Sequence, residues 1–313
     1  MTKLFELKEK LLEFVSGYEK YLRYIGRFAA ALTLFGLING TIGFWEEIAR
    51  VPVVLVLAIV CALFSQEVTL FAAGILTLLH LFILSPEVAF VALLFFGILY
   101  FIYFRFAPHD TALVVMVPIF CAMGIPYVLP IGTGLLRRGY SVTALICGSL
   151  AFYFLEGIYR NINNFQAIVA GASLEGSKMV IAVGQILNNK ELYLTVGLFA
   201  VATVVVYHIR KTSMQHAWKI AVWVGVLIQV AGFLVGYILL DVTEKMLAVL
   251  VGNMLALVSG FVIEFLFMDL NYARIERVQF EDDEYYYVVK AIPKKKMTSS
   301  DKKVKAFNEI SES

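Results

Sequence analysis

From Phe28 to Met268 the chain is a series of apolar runs separated by brief polar turns. A bilayer hydrocarbon core about 30 Å thick is crossed by roughly 20 residues of helix. Eight stretches meet or approach that length: 28–45, 51–65, 68–85, 87–105, 141–158, 191–209, 217–240 and 244–268. Backbone groups in lipid must be satisfied within their own segment or in a closed barrel, and uninterrupted runs of this length predict helices. The composition agrees. Hydrophobic residues make up 60% of the chain and charged residues 16%, with a mean hydropathy of +0.81, against about 45–50% and 25% in soluble domains. The expectation is an all-α polytopic membrane protein with about eight transmembrane helices. The 51–65 run is short and needs extension to Ile48, or a tilt, to cross. Turns such as Ser65-Gln66-Glu67 and Ser85-Pro86-Glu87 are tight enough to make the helices they join antiparallel.

One apolar stretch departs from the pattern. Residues 111–136 read TALVVMVPIFCAMGIPYVLPIGTGLL, broken by Pro118, Pro126 and Pro130 with Gly124, Gly132 and Gly134 among them. Interrupted backbone is tolerated at membrane depth only where it is buried in protein or lines a cavity. Arg105 precedes the segment and Arg137-Arg138 follow it. A single crossing would place one of these clusters outside, against the tendency of basic residues to stay on the cytoplasmic side. A re-entrant hairpin over 110–136 keeps both inside, and its 26 residues suffice for two half-helices meeting near Ile125–Pro130. A single kinked span is the competing reading.

With the hairpin in place, the N-terminal basic residues, Arg105, Arg137-Arg138, Arg210-Lys211 and Arg274/Arg277 are all cytoplasmic, as are both termini. Glu46-Glu47 and Asp241–Glu244 become external. Arg50, Arg160, Lys178 and Lys190 fall outside and are the weak points of this topology. The predicted location is the plasma membrane.

The first 27 residues carry six Lys/Arg and four Glu and resemble no cleavable signal. Leu4, Leu7, Leu11, Phe14, Tyr18, Tyr21 and Ile25 recur at helical spacing opposite Lys3, Glu6, Lys10, Glu13 and Lys20. This predicts an amphipathic helix over 1–27, lying in the membrane interface or docked on the protein's own cytoplasmic face. The transmembrane domain then occupies 28–270. Its loop 159–190 starts polar and becomes amphipathic through Met179, Val180, Val183, Ile186 and Leu187, as a segment along the external interface would.

The tail, 271–313, places Phe280 before the acidic run Glu281–Glu284 and Tyr285, Tyr286 and Tyr287 after it. Aromatic and β-branched residues around a polar run suggest a short β-hairpin. Beyond about residue 293 the Lys/Ser/Asp-rich composition predicts disorder. The stretch VQFEDDEYYYVVKAIPK at 278–294, with IPYVLPIGTGLL and the Asn188-Asn189-Lys190 turn, resembles a family of bacterial multi-pass membrane proteins that sometimes carry a permease-like label. The resemblance covers most of the chain and implies the architecture rather than a chemistry.

Ionisable groups inside a membrane are costly and are functional candidates by default. Glu156, Glu264, Asp269 and His80 qualify, with polar Gln229 and Asn253. Glu156 and Arg160 share a helix face and can pair. The hairpin residues Pro118, Gly124, Pro126, Pro130, Gly132 and Gly134 are the stronger candidates for a substrate or ion pathway, because half-helix ends leave backbone groups free to bind a ligand. Gly232 with Gly236, and Gly252, Ala256 and Gly260, repeat every four residues and suit close helix packing.

Other chemistries lack their residues. Net charge is +2, without the basic patch that nucleic-acid binding needs. Cys61, Cys121 and Cys147 form no C-x-x-C pair and read as packing. The four histidines show no ligand spacing, so neither a metal nor another cofactor is expected. No P-loop, G-x-S-x-G or H-E-x-x-H motif occurs. The chain therefore reads as non-enzymatic. It is a permease-type component moving an ion or small solute beside the 111–136 hairpin, its energy drawn from a gradient or an external ATPase subunit. The alternative is a membrane scaffold recruiting a cytoplasmic protein through Phe280, Tyr285, Tyr286 and Tyr287, since an extended aromatic segment can add a strand to a partner's sheet.

Overall fold

The computed structural model describes residues 2–163, 165, 178–212, 214–268, 276–281 and 285–291. In chain order the helices are α1 (Thr2–Gly17), α2 (Glu19–Ile42), α3 (Glu46–Ala49), α4 (Val51–Leu63), α5 (Gln66–Leu84), α6 (Pro86–Phe106), α7 (Thr111–Ala122), α8 (Val128–Leu136), α9 (Val142–Arg160), α10 (Lys178–Leu187), α11 (Lys190–Lys211), α12 (Ala217–Leu239) and α13 (Met246–Phe267). Prolines stand where helices tolerate them. Pro52, Pro86 and Pro130 occupy first turns, where the missing N–H would have no intrahelical partner.

Seven helical segments are long and apolar enough to cross a membrane: Glu19–Ile42, Gln66–Leu84, Pro86–Phe106, Gly139–Arg160, Lys178–Lys211, Ala217–Leu239 and Thr243–Phe267. The all-α polytopic architecture is thus present. Seven of the eight expected runs are among these segments, whereas the 51–65 run forms a helix of only 13 residues. Helix α2 begins at Glu19, because the amphipathic stripe passes into the apolar run with only Tyr18 between the helices. Tyr21 and Ile25 therefore belong to the same helix as the first long span.

Two groups of helices bury separate cores. Around Phe35, Leu81, Phe154 and Ile158, all fully buried, pack α2, α4, α5, α6, α7, α9 and α10. Around Ile131, Leu135, Phe199 and Phe233 pack α8, α11, α12 and α13. In the second group Tyr127 meets Phe233 edge-on with ring centroids 5.1 Å apart, and Phe233 meets Phe199 at 6.0 Å. Close approach here depends on glycine. A Cβ on Gly236 would lie 2.5 Å from Leu194, one on Gly260 2.8 Å from Val222, and those on Gly232 and Gly252 would strike Leu198 and Tyr127. The small-residue series predicted from sequence accordingly packs within the protomer.

Residues Met1–Leu266 form one compact unit and Phe267–Ser313 a second. In the second, β1 (Glu276–Glu281) pairs antiparallel with β2 (Tyr286–Ala291), Phe280 standing opposite Tyr287. The disorder expected after residue 293 lies outside the described residues.

Candidate functional site

The broken segment is two helices, α7 and α8, and its ends meet. Asp110, at the start of α7 and 3% exposed, accepts a 2.6 Å hydrogen bond from Ser141 Oγ and lies 3.5 Å from Arg137 Nη1. A straight helix would hold residues 110 and 137 about 40 Å apart. The two ends of the segment therefore lie together.

Sequence dictates the turn. At the C-terminus of α7 the Ile125 N–H donates to Phe120 O at 3.0 Å and the Gly124 N–H to Cys121 O at 3.0 Å, closing the helix through a residue in the left-handed region, Gly124 at φ +74°. This is the usual glycine stop. Pro126 cannot donate and follows at once, and α8 begins two residues later. Pro118 lies inside α7 and leaves Val114 O without its intrahelical donor. That carbonyl is covered by α9, where a Cβ on Gly148 would stand 3.1 Å from it.

The feet of the hairpin are fastened by polar groups. Arg210 of α11 donates to Leu135 O and, at 3.2 Å, to Arg137 O, satisfying carbonyls that the end of α8 leaves free. Its guanidinium also lies over the rings of Tyr207 and Trp218, 5.5 and 5.7 Å from their centroids. Tyr103 donates to Pro108 O at 2.8 Å and shares a hydrogen bond with Thr111, fixing the turn into α7. The two arms then diverge: α7 packs mainly on α2, α5 and α9, and α8 on α11 and α12, with Val117, Leu129 and Leu145 forming a small shared cluster between them.

Beside the first arm is a cavity of about 710 Å³, walled by α2, α5, α6, α7 and α9. Pro118, Cys121 and Ala122 of α7 line it, and so does Glu156 of α9. The rest of the wall is mainly aliphatic and aromatic, with Phe96, Leu99 and Phe152 among its members. Glu156 pairs with Arg160 at 2.7 Å, as their spacing predicts. Tyr103 also reaches the wall, with its hydroxyl committed to Pro108 and Thr111.

The predicted site residues thus fall in different places. Pro118 and Glu156 share the cavity wall. Gly124 and Pro126 form the turn. Pro130, Gly132 and Gly134 belong to the packed face of α8, where a Cβ on Gly134 would lie 2.6 Å from Val206 and one on Gly132 3.5 Å from Ile263. Glu264 sits on α13, which contributes nothing to the cavity wall. Asp269 lies outside the described residues, as do the side chains of Phe280 and Tyr286. Tyr285 and Tyr287 bring their rings to 6.2 Å, and Tyr285 is 63% exposed.

His80 is fully buried and used structurally. Its Nε2 lies 2.8 Å from Asn39 Oδ1, and its Nδ1 accepts from the Trp45 N–H at 3.2 Å. Both nitrogens are occupied in a neutral ring that ties α2 and α5 to the turn at Trp45. Among the described residues, Gln229 is buried on α12 with neither amide atom hydrogen-bonded, and Asn253 donates to Val249 O while its Oδ1 meets no partner. Neither lines the cavity. Among the described residues no cluster of three His, Cys, Asp or Glu side chains could hold a metal ion.

Several residues that organise the site were not singled out from sequence. Asp110 was visible only as a carboxylate just ahead of the broken segment. Ser141 gives no sequence signal and Arg210 only that of a basic loop residue, since both act through contacts distant in sequence. Gly74 and Gly97 also line the cavity, and their signal was present: an isolated glycine inside a helical run calls for a reason.

Comparison with known proteins adds no assignment: no family model matches the chain, and neither a curated protein nor a solved structure is significantly similar to it.

Proposed function

We propose that this is a permease-type membrane component, non-enzymatic, which takes a small molecule into the cavity against the first arm of a re-entrant hairpin. The carrying observation is the closure of the hairpin's feet by Asp110, Arg137 and Ser141, with the same hairpin supplying Pro118, Cys121 and Ala122 to an intramembrane cavity. Half-helices that reach partway into the bilayer and border a cavity are a device of transporters. Arg137 and Arg210 meet at the feet of the hairpin, and Arg105 and Lys211 belong to the adjoining helix ends. Concentrated positive charge supports a cytoplasmic location for that face, with both termini on the same side of the plasma membrane. On this topology Arg160 is external, where Glu156 offsets its charge.

A solute suits the cavity better than a bare ion. A hard cation replaces its hydration with several oxygen ligands, and this wall offers few. Energy would come from a gradient or from an ATPase subunit bound to the cytoplasmic face. The likeness of 278–294 to the permease-labelled family belongs to the same reading.

A flux measurement in proteoliposomes, using a panel of amphiphilic and polar solutes, tests the proposal. Movement above that of protein-free vesicles for at least one solute is the expected result, and none for any solute counts against it.

A second reading rests on the tail. Among the described residues the sheet has two strands, β1 and β2, and a sheet edge can accept a partner's strand. A cytoplasmic protein recruited there would make the chain a scaffold. Pull-down with the full chain, wild type against a triple Tyr285/Tyr286/Tyr287→Ala variant, separates the readings, because only a scaffold loses a partner.

A further inference from the structure

We infer that the cavity beside α7 takes the hydrocarbon chain of a bilayer phospholipid, with the polar head at the Glu156–Arg160 end. This rests on the reading of that cavity as the functional site and names its substrate class. Among the described residues of the wall, Glu156 alone carries a carboxylate, and it stands near the end marked by Thr41 and Tyr159. Thr41 spends its hydroxyl on Leu37 O and Ile38 O. Below that end the wall is aliphatic and aromatic, which desolvates a polar solute without replacing its hydrogen bonds. A hydrocarbon chain has none to replace.

The wall is long enough for an acyl chain, reaching from Tyr103 near the hairpin's feet to Tyr159. Along α9 alone it runs from Cys147 to Tyr159, a rise of about 18 Å at 1.5 Å per residue. Two glycines of the wall stay open, as Gly26, Gly36, Gly40 and Gly197 do elsewhere. Gly134, Gly148, Gly236 and Gly260 are pressed against a neighbouring helix, whereas nothing stands within 4 Å of a Cβ on Gly74 or Gly97. A glycine inside a helix costs about 0.5–1 kcal/mol relative to alanine, and helix packing gives no reason for these two. What their missing side chains provide is open volume in the cavity wall. Besides α7, the cavity is walled by α2, α5, α6 and α9, all long and apolar enough to span a membrane, so alkyl chains are its available occupant. The Glu156–Arg160 pair offers both signs of charge to a zwitterionic head.

The test uses the full chain in vesicles containing phosphatidylcholine with a photoactivatable diazirine midway along one acyl chain. After illumination, cross-linked peptides are located by mass spectrometry, and lipid and solute flux are measured in the same vesicles. Adducts are expected on 34–41, 93–103 and 147–159. They should fall severalfold in a Gly74→Leu/Gly97→Leu variant while adducts on the lipid-exposed face of α13, around Leu247 and Met254, are unchanged. Leucine at these positions meets open space and favours helix, so the variant keeps its fold, and the α13 adducts verify that. Glu156→Gln, which keeps the shape, should weaken labelling without abolishing it. Labelling of 34–41, 93–103 and 147–159 that is absent, or equal in wild type and the filled variant, overturns the lipid assignment. Polar-solute flux with no labelling there overturns the lipid and leaves the permease standing. Labelling lost on filling, with no flux of lipid or solute in the wild type, keeps the lipid site and removes the permease.

Discussion

The Asp110 carboxylate lies 3.5 Å from the Arg137 guanidinium and accepts a 2.6 Å hydrogen bond from Ser141, joining residues at opposite ends of an apolar segment. The two halves of this contact differ in weight. Arg137 is 48% exposed although Asp110 is not, so water screens one side of the pair, and exposed pairs contribute about 0–1 kcal/mol. The Ser141 bond is buried, and losing its acceptor strands a hydroxyl. Asp110→Ala should therefore lower stability by about 1–3 kcal/mol, Arg137→Ala by less, and Asp110→Asn should avoid part of the loss, because its amide oxygen can still accept the Ser141 bond. Thermal unfolding in detergent checks the order. Equal effects from Asp110→Ala and Arg137→Ala would contradict this division.

Glycines that look alike in sequence should respond oppositely. A Cβ on Gly148 would lie 2.7 Å from Val117 Cβ, and one on Gly134 2.7 Å from Val206 Cβ. Both neighbours are branched at that atom and cannot swing away. Gly148→Ala and Gly134→Ala are expected to cost about 1–3 kcal/mol by overpacking. Gly74→Ala and Gly97→Ala meet no atom within 4 Å and should stabilise by up to about 1 kcal/mol through helix propensity. Four single variants compared by melting temperature decide it.

The turn between the arms is sensitive for another reason. Gly124 holds φ +74° with open space around it, so backbone strain alone opposes a side chain there. Gly124→Ala should destabilise by about 1–2 kcal/mol, and Gly124→Asn by less, since asparagine enters the left-handed region more readily. Denaturation curves showing no difference between alanine and asparagine would argue against the strain account.

At the other end of the chain, the apolar stripe of α1 is left uncovered among the described residues. Leu7, Leu11 and Phe14 are exposed to 58%, 45% and 56%, whereas Lys8 is buried with its ammonium over the Phe265 ring. Apolar side chains this exposed suit the membrane interface. Tryptophan at position 14, with Trp45, Trp218 and Trp223 replaced by Phe, should be quenched by brominated lipid in vesicles. Fluorescence insensitive to bromination would place the helix elsewhere.

Much of this architecture is written locally. Run length predicted the long helices, and the charges at Arg105 and Arg137-Arg138 argued for a folded-back segment. Glu156 with Arg160 was readable because four residues in a helix bring side chains together. The reading weakened where contacts join distant parts of the chain. Arg210 reaches the end of α8 across 75 residues, and nothing in its neighbourhood announces that. Pro130, Gly132 and Gly134 were grouped with Pro118 because all interrupt one apolar run. They serve the second core instead, because the turn at Gly124 sends the two arms into different helix groups. His80 read as an intramembrane titratable group, but its partners Asn39 and Trp45 lie 41 and 35 residues away.

The re-entrant hairpin is the claim on which the rest depends, and its topology can be measured directly. In a chain with Cys61, Cys121 and Cys147 replaced by Ala, single cysteines at His109, Arg138 and Glu244 are labelled with a membrane-impermeant maleimide in vesicles of both orientations. Positions 109 and 138 should react from the same side, and 244 from the opposite one. Labelling of 109 and 138 from opposite sides would show that the segment crosses the bilayer once and would contradict the account.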